Sequence, residues 1–182
     1  MIKIVTLTFI FLNFFNILNA SLKDEIILNL KKTENLSFNF KQTINDKVEL
    51  GNCIIKYPKK IFCSYKNKII VSNGKILIIK NIVNNQHYSY PLKKTPLNLI
   101  LDKEYLINQI KFKEGKKIDN KYIKFTIKND QYKINIFFDN KTKNLIGWQT
   151  EDLYQNLVIT FISSLNYNRS INEEIFELPK ND

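Results

Sequence analysis

Residues 123–139 of the chain read IKFTIKNDQYKINIFFD, and their pattern decides the fold. Apolar and polar side chains alternate twice in this stretch, first over residues 123–128 and again over residues 132–139. Because successive side chains of a β-strand point to opposite faces of the sheet, a two-residue period is typical of a strand with one buried face. The stretch therefore predicts two neighbouring strands whose apolar side chains face a core.

The same period recurs on both sides of this stretch. Before it, the pattern predicts strands at residues 36–42, 48–57, 61–65, 68–71, 75–80 and 86–90; after it, strands are predicted at residues 145–150 and 157–163. Ser72-Asn73-Gly74 is a turn sequence between two of these strands. Short strands joined by turns, without a repeat or a linker, favour one mainly β domain built on a long antiparallel meander.

Two helical segments are predicted to cover the apolar face of this sheet. The first follows residue 21 and carries apolar residues at helical spacing: Leu22, Ile26, Ile27 and Leu30. In the second, Leu97, Ile100 and Leu101 recur at the same spacing, with Thr95 as the expected N-cap and Pro96 as the first helical residue. A further short helical turn is expected at residues 102–108.

The N-terminal residues 1–20 are interpreted as a signal peptide, and residues 21–182 as the mature domain. Lys3 precedes an apolar run that ends at Leu18, and Ala20 supplies the small residue before the cleavage point. An uncleaved membrane anchor is the alternative reading of the same run. Residue 21 is Ser21 and not cysteine, so we expect an exported protein that carries no lipid anchor of its own.

The chain is strongly basic, with a formal net charge of +11 from 28 Lys and Arg against 17 Asp and Glu. Arg169 is its only arginine, although arginine is the better residue for reading phosphates and base edges. This composition argues against nucleic acid as a partner. Attraction to anionic lipid head groups or to an acidic partner protein suits an exported chain better.

Cys53 and Cys63 are the only cysteines, and they flank a turn at Tyr57-Pro58. A hairpin centred near Pro58 would set the two cysteines opposite each other, which predicts a disulfide in an oxidising compartment. Two free buried thiols are the alternative. A zinc site is disfavoured because only His87 could join them, so we expect no metal and no cofactor.

The sequence offers little catalytic chemistry. His87 is the only histidine and lies in a polar stretch, while the adjacent Glu151 and Asp152 would point to opposite faces of a strand. We therefore expect no enzymatic activity. The strands instead carry more apolar surface than two short helices need, and periodicity leaves open whether this surface is a packed core or lines a cavity for an apolar ligand.

The order of segments resembles that of the LolA family of periplasmic outer-membrane lipoprotein carrier proteins. The resemblance rests on six short stretches in family order: Phe38-Asn39-Phe40-Lys41-Gln42, Gly51 with the following strand and Tyr57-Pro58, Ser72-Asn73-Gly74-Lys75, Tyr90-Pro91-Leu92 continuing to Thr95-Pro96-Leu97 and Leu101, Leu145-Ile146-Gly147-Trp148, and Phe176-Glu177-Leu178-Pro179. Tyr57 stands where many members have an arginine that contributes to lid closure.

The resemblance implies an incomplete antiparallel β-barrel, a curved sheet whose concave apolar face is covered by a helical lid. It also implies a periplasmic chaperone that shelters lipoprotein acyl chains. Its partners would be lipoproteins, an inner-membrane lipoprotein-releasing ABC transporter and an outer-membrane receptor, and it would act as a monomer. A carrier or sensor of free lipid, or of another apolar ligand, is the alternative function in the same fold.

Residue periodicity and the resemblance together predict the site. The residues expected to contact acyl chains are Phe38, Phe40, Leu97, Ile100, Leu101, Ile134, Ile136 and Trp148. The residues expected to form the lid and its turn are Tyr57, Pro58, Pro91 and Pro96.

Overall fold

The structure is a computed structural model that describes residues 21–152 and 155–179. The signal peptide predicted at residues 1–20 lies outside the described residues. Across the two described ranges, no helix combines the length and the apolar character needed to cross a membrane.

The described residues form a single antiparallel sheet of eleven strands. The strands are β1 Asn35–Ile44, β2 Lys47–Lys56, β3 Lys60–Tyr65, β4 Lys68–Asn73, β5 Ile76–Asn81, β6 His87–Pro91, β7 Lys116–Ile118, β8 Tyr122–Lys128, β9 Lys133–Asp139, β10 Leu145–Glu151 and β11 Leu157–Tyr167. Their order is β6-β5-β4-β3-β2-β1-β11-β10-β9-β8-β7, so β6 and β7 are the two edges. The sheet curves without closing, which confirms the fold class predicted from the sequence.

The pairing of β1 with β11 joins two meanders into one sheet. The register of this pair shifts between Ser37 and Asn39, and the register of β9 with β10 shifts between Leu145 and Gly147. An extra residue in one strand increases the local twist and bends the strand. These irregularities help to give the sheet its concave face.

Among the described residues, three α-helices lie against the sheet: α1 Leu22–Lys32, α2 Leu97–Leu101 and α3 Lys103–Phe112. A capping box begins α1, because Ser21 Oγ accepts from the backbone nitrogen of Asp24 at 3.3 Å while the Asp24 carboxylate accepts from the Ser21 nitrogen at 3.1 Å. The predicted turn at residues 102–108 belongs to the longer helix α3, which is capped by Asp102.

The predicted start of α2 is wrong by one residue. Thr95 does not cap this helix; its hydroxyl is buried and donates to the carbonyl oxygen of Leu92 at 2.8 Å, closing a short 3₁₀ turn. Pro96 occupies the N-cap position, and the helix begins at Leu97. A threonine hydroxyl can cap the helix that follows it or bond to the turn that precedes it, and here it bonds to the preceding turn.

The packed core and the open part of the concave face lie over different strands. Helices α1 and α3 contact each other, and α3 contacts β8. The side chains buried in this region include Ile26, Leu30, Leu106, Ile110, Phe125, Ile134, Ile136 and Phe138. The cavity lies elsewhere, between α2 and the strands around β3 and β4. The short 3₁₀ turn Glu173–Phe176 also contacts β3 and β4.

Candidate functional site

A cavity of about 340 Å³ lies between the concave face of the sheet and α2. This volume falls within the usual range for small-molecule sites, roughly 300–1,000 Å³. Its apolar wall is formed by Phe40, Ile44, Cys53, Ile61, Cys63, Ile70, Leu77, Ile79, Leu97, Ile100, Trp148 and Val158. The wall therefore comes from β1–β5, β10 and β11, with α2 as the cover.

Four of the eight residues predicted to contact acyl chains line this cavity: Phe40, Leu97, Ile100 and Trp148. The other four are buried but lie outside the cavity wall: Phe38, Leu101, Ile134 and Ile136. For these four residues the structure indicates a role in the packed core. The two-residue period assigned the strand residues among them to the concave face, but it does not say which part of that face the helices cover.

The position of Phe40 on the wall depends on the glycine opposite it. Phe40, Gly51 and Tyr65 form one row across β1, β2 and β3. The rings of Phe40 and Tyr65 meet edge to face with centroids 4.8 Å apart. A Cβ atom at Gly51 would lie 2.6 Å from the Phe40 ring and 2.3 Å from the carbonyl oxygen of Ser64. Only glycine therefore leaves room for the Phe40 ring at this point.

The two cysteines also belong to the cavity wall. Cys53 and Cys63 are directly opposite each other in the register of β2 and β3, and their sulfur atoms are joined in a disulfide. Both residues line the cavity. The bond therefore fixes two adjacent strands at the middle of the proposed ligand wall.

The residues predicted to form the lid and its turn are separated in space. Pro96 lines the cavity next to α2, whereas Pro91 is exposed at the end of β6. Tyr57 and Pro58 lie outside the cavity wall, in the turn between β2 and β3. This turn contacts the lid through the next residue, since the backbone nitrogen of Lys59 donates to the carbonyl oxygen of Leu101 at 3.0 Å.

Two lysine side chains near this turn make contacts that were not predicted. Lys59 Nζ lies 2.9 Å from the Asp102 carboxylate, at the junction of α2 and α3. Lys103 Nζ donates to the carbonyl oxygen of Thr33 at 2.9 Å and lies 5.4 Å from the centroid of the Tyr57 ring. No sequence pattern links these residues, because they come together only when the helices pack on the sheet.

The Tyr57 hydroxyl does not take over the lid contact of the arginine that many family members have at this position. It is buried and has no hydrogen-bond partner among the described residues. Burial raises the pKa of this phenol far above its usual value, and the neighbouring Tyr167 raises it further. The Tyr167 hydroxyl is also buried without a partner in the described part of the chain. Tyr57 therefore contributes an aromatic ring close to Lys103, and its hydroxyl does not bind the lid.

One end of the cavity is polar, and it is built around Lys68. Its ammonium group donates to both oxygens of the Glu49 carboxylate, each at 2.8 Å, and lies 4.5 Å from the centroid of the Tyr65 ring. Gln42 Nε2 donates to the same carboxylate at 3.2 Å, and Thr160 Oγ1 donates to Gln42 Oε1 at 3.2 Å. Gln42 shares the face of Phe40 by the alternation of β1, whereas no sequence pattern predicts the ion pair.

The remaining candidates for a chemical role are His87 and possible metal ligands. His87 is exposed on the edge strand β6. Within residues 21–152 and 155–179, no group of three or more His, Cys, Asp or Glu side chains could hold a metal ion. The absence of a cofactor and of catalysis therefore stays a prediction from the sequence.

A family model and several solved structures are similar to this chain. A family model described as outer membrane lipoprotein carrier protein LolA matches residues 31–179. Similar solved structures include a LolA superfamily protein from Nitrosomonas europaea, which is 9% identical with a TM-score of 0.46 and covers 87% of this chain and 96% of its own. A putative outer membrane lipoprotein-sorting protein domain from Vibrio parahaemolyticus is 10% identical with a TM-score of 0.49, covering 84% and 94%.

The lipoprotein LppX from Mycobacterium tuberculosis is also similar, at 12% identity and a TM-score of 0.41, with 85% of this chain and 98% of its own covered. These identities and TM-scores are too low to support an argument about function. No curated protein matches the sequence. The family model, which spans most of the chain, is therefore the comparison that matters.

Proposed function

Because the chain belongs to the outer membrane lipoprotein carrier protein LolA family, we propose that it is a periplasmic carrier of lipoproteins. It would receive a lipoprotein from an inner-membrane lipoprotein-releasing ABC transporter and deliver it to an outer-membrane receptor. During transit the acyl chains of the lipoprotein would occupy the cavity beneath α2. The protein would act as a monomer and would perform no catalysis.

The observation that carries this proposal is the apolar cavity itself. Its wall consists mainly of aliphatic and aromatic side chains, while a short helix of five residues covers it. Each methylene group moved from water into such a wall contributes about 0.8 kcal/mol. A few methylenes therefore outweigh the polar contacts that the rim could offer, and acyl chains are the ligands that best use this surface.

The cover is attached at both ends, which suits a lid that must move without detaching. At its C-terminal end, Leu101 and Asp102 contact Lys59 of the β2–β3 turn. At its N-terminal end, the Tyr132 hydroxyl donates to the carbonyl oxygen of Lys94 at 2.6 Å. Leu97, between these ties, is only half buried. A small outward movement of α2 would enlarge the cavity while both anchors hold.

The experiment is to purify the protein from the periplasm of a two-membrane bacterium and identify bound molecules by mass spectrometry. We expect acylated lipoproteins with their lipid intact. Phospholipid or free fatty acid alone would favour the alternative of a free-lipid carrier. Recovery of no acylated molecule, from protein shown to be folded, would contradict the proposal.

A matched pair of variants tests whether the cavity holds the ligand. Ile79 lines the cavity from β5, whereas Ile76 on the same strand is partly exposed and lies on the opposite face by the strand alternation. Ile79→Trp fills cavity space and should reduce co-purified ligand. Ile76→Trp makes the same chemical change outside the cavity and should leave the amount unchanged. Equal recovery from both variants would place the ligand elsewhere.

A further inference from the structure

At the polar end of the cavity, the positive charge of Lys68 is already paired. Both oxygens of the Glu49 carboxylate accept from the Lys68 ammonium, and side-chain exposures of 37% and 30% place the pair at the border between solvent and the cavity. The Tyr65 ring covers another side of the ammonium. The lysine is therefore held in one place by a carboxylate and a ring, and its charge is compensated before any ligand arrives.

The other charged residues among the described lining residues carry more negative than positive charge. Lys94 is the only other lysine among the lining residues, and the lining carboxylates are those of Glu151 and Asp152. Asp152 accepts hydrogen bonds from the backbone and side chain of Asn156, each at 2.9 Å. Counting Glu49, the partner of Lys68, the charged residues on and next to the cavity wall are two lysines and three carboxylates. In a chain with 28 Lys and Arg against 17 Asp and Glu, this local balance departs from the overall excess of positive charge.

We propose that the cavity selects acylated ligands whose polar head is uncharged, such as an acylglycerol, and disfavours those with a phosphate or carboxylate head, with the Glu49–Lys68 pair as the discriminating element. This inference rests on the proposed function, since it assigns a chemical class to the head of the ligand whose acyl chains fill the cavity.

The physical reason is the cost of an anion at this place. A phosphate beside Lys68 would have to displace Glu49 or lie next to it, and two negative groups in a half-buried site repel each other. An ester or amide is uncharged and is therefore not repelled by Glu49. Gln42 and Thr160 can form hydrogen bonds with it. The head of an acylated lipoprotein, a glycerol ester linked to a protein chain, belongs to this uncharged class.

The test measures competition between two lipids with the same acyl chains. Protein stripped of bound lipid is mixed with equal amounts of dioleoylglycerol and dioleoylphosphatidylglycerol, re-isolated by gel filtration, and its bound lipids are quantified by mass spectrometry. We expect the unaltered protein to retain dioleoylglycerol in excess, by roughly fivefold, the factor that one half-exposed charge pair supplies. Retention of phosphatidylglycerol in an equal or larger amount would overturn the inference.

Two variants then identify the residues responsible. Glu49→Gln releases the Lys68 charge and should shift the ratio towards phosphatidylglycerol by a similar factor. Adding Lys68→Gln to that variant removes the charge again and should restore the original ratio. Glu173→Gln is the matched control, because Glu173 is likewise paired with lysine, here Lys56 and Lys60, but lies outside the cavity wall. An unchanged ratio in Glu49→Gln, or an equal shift in Glu173→Gln, would overturn the role of the pair.

The possible failures are distinguishable. Retention of neither lipid by folded protein would contradict the carrier function and the inference together. Retention of both lipids without a preference would leave the cavity as an acyl-chain site and overturn only the selection by head group.

Discussion

Cys53 and Cys63 stand directly opposite each other on β2 and β3, and the disulfide that joins them forms part of the cavity wall. The bond closes a short hairpin, since the two residues are ten positions apart. It therefore joins β2 and β3, which carry the residues next to Phe40. It does not link distant parts of the chain.

We expect the Cys53→Ala/Cys63→Ala double variant to lower the free energy of unfolding by about 3 kcal/mol, because the open chain gains the entropy of the released loop. Denaturant titrations of both proteins under non-reducing conditions measure the loss. The fold should persist, since the closed loop is local. Thiol labelling of the denatured, unreduced protein is the independent check, and two reactive thiols per chain would contradict the bond.

The unpartnered hydroxyl of Tyr57 leads to the second prediction. Tyr57→Phe removes a buried polar atom that has no hydrogen-bond partner in the described residues, so the free energy of unfolding should rise by about 1–2 kcal/mol. Tyr132→Phe is the matched control, because the Tyr132 hydroxyl donates to Lys94 and its loss should lower stability. A loss of stability in Tyr57→Phe similar to that of the control would show that the hydroxyl is hydrogen-bonded in solution.

The local sequence pattern predicts the strands of this fold. It does not predict which part of the concave face is packed core and which part lines the cavity. Ile134 and Phe40 both satisfy the two-residue period, which predicts an inward-facing position for each, and both are buried. Ile134 is nevertheless buried in the core, and Phe40 lines the cavity. The difference depends on where α1 and α3 pack, and that is fixed by contacts between residues distant in the chain.

The polar end of the site could not be predicted from the sequence for the same reason. Glu49 and Lys68 are nineteen positions apart and lie on β2 and β4, with β3 between them. Strand alternation gives the face of each residue but not the register that brings them together. Gln42 is easier to relate to the cavity, because it shares a strand with Phe40.

Stability should fall at alkaline pH, and Tyr167 provides a measure of this effect. Burial raises the pKa of its phenol from 10.0 to about 12. The unfolded chain therefore loses this proton first, so the contribution is fully present below pH 10 and is lost as pH rises towards 12. Denaturant midpoints measured across this range should fall less steeply in Tyr167→Phe than in the unaltered protein. Identical slopes would contradict the shift.

The close approach of Phe40 to Gly51 gives the fourth prediction. Gly51→Ala should lower the free energy of unfolding by about 1–3 kcal/mol, because the new Cβ would overlap the Phe40 ring and the Ser64 carbonyl oxygen. Replacing the ring as well, in Phe40→Leu/Gly51→Ala, relieves part of this overlap. Denaturant titration should therefore show a smaller loss in the double variant than the sum of the two single losses. Strictly additive losses would show that the ring is not what the alanine displaces.

Leu97 is the lid residue whose replacement best separates ligand binding from folding. It lines the cavity but is only half buried, whereas its neighbour Leu101 is fully buried and lies outside the cavity wall. Leu97→Glu places a carboxylate against the acyl chains and should weaken binding of an acyl ligand roughly tenfold or more, since burying an unpaired charge is costly. The free energy of unfolding should fall by less than about 2 kcal/mol.

Binding can be followed through Trp148, the only tryptophan of the chain, because it lines the same cavity. Leu28→Glu is the matched control, since Leu28 is 49% exposed on α1 and the same substitution there should change neither the emission response nor the affinity. Unaltered affinity in Leu97→Glu would mean that α2 does not cover the ligand. Outright unfolding of Leu97→Glu would show that α2 is a core element whose packing the sheet requires, and a movable lid would then have to be sought elsewhere in the chain.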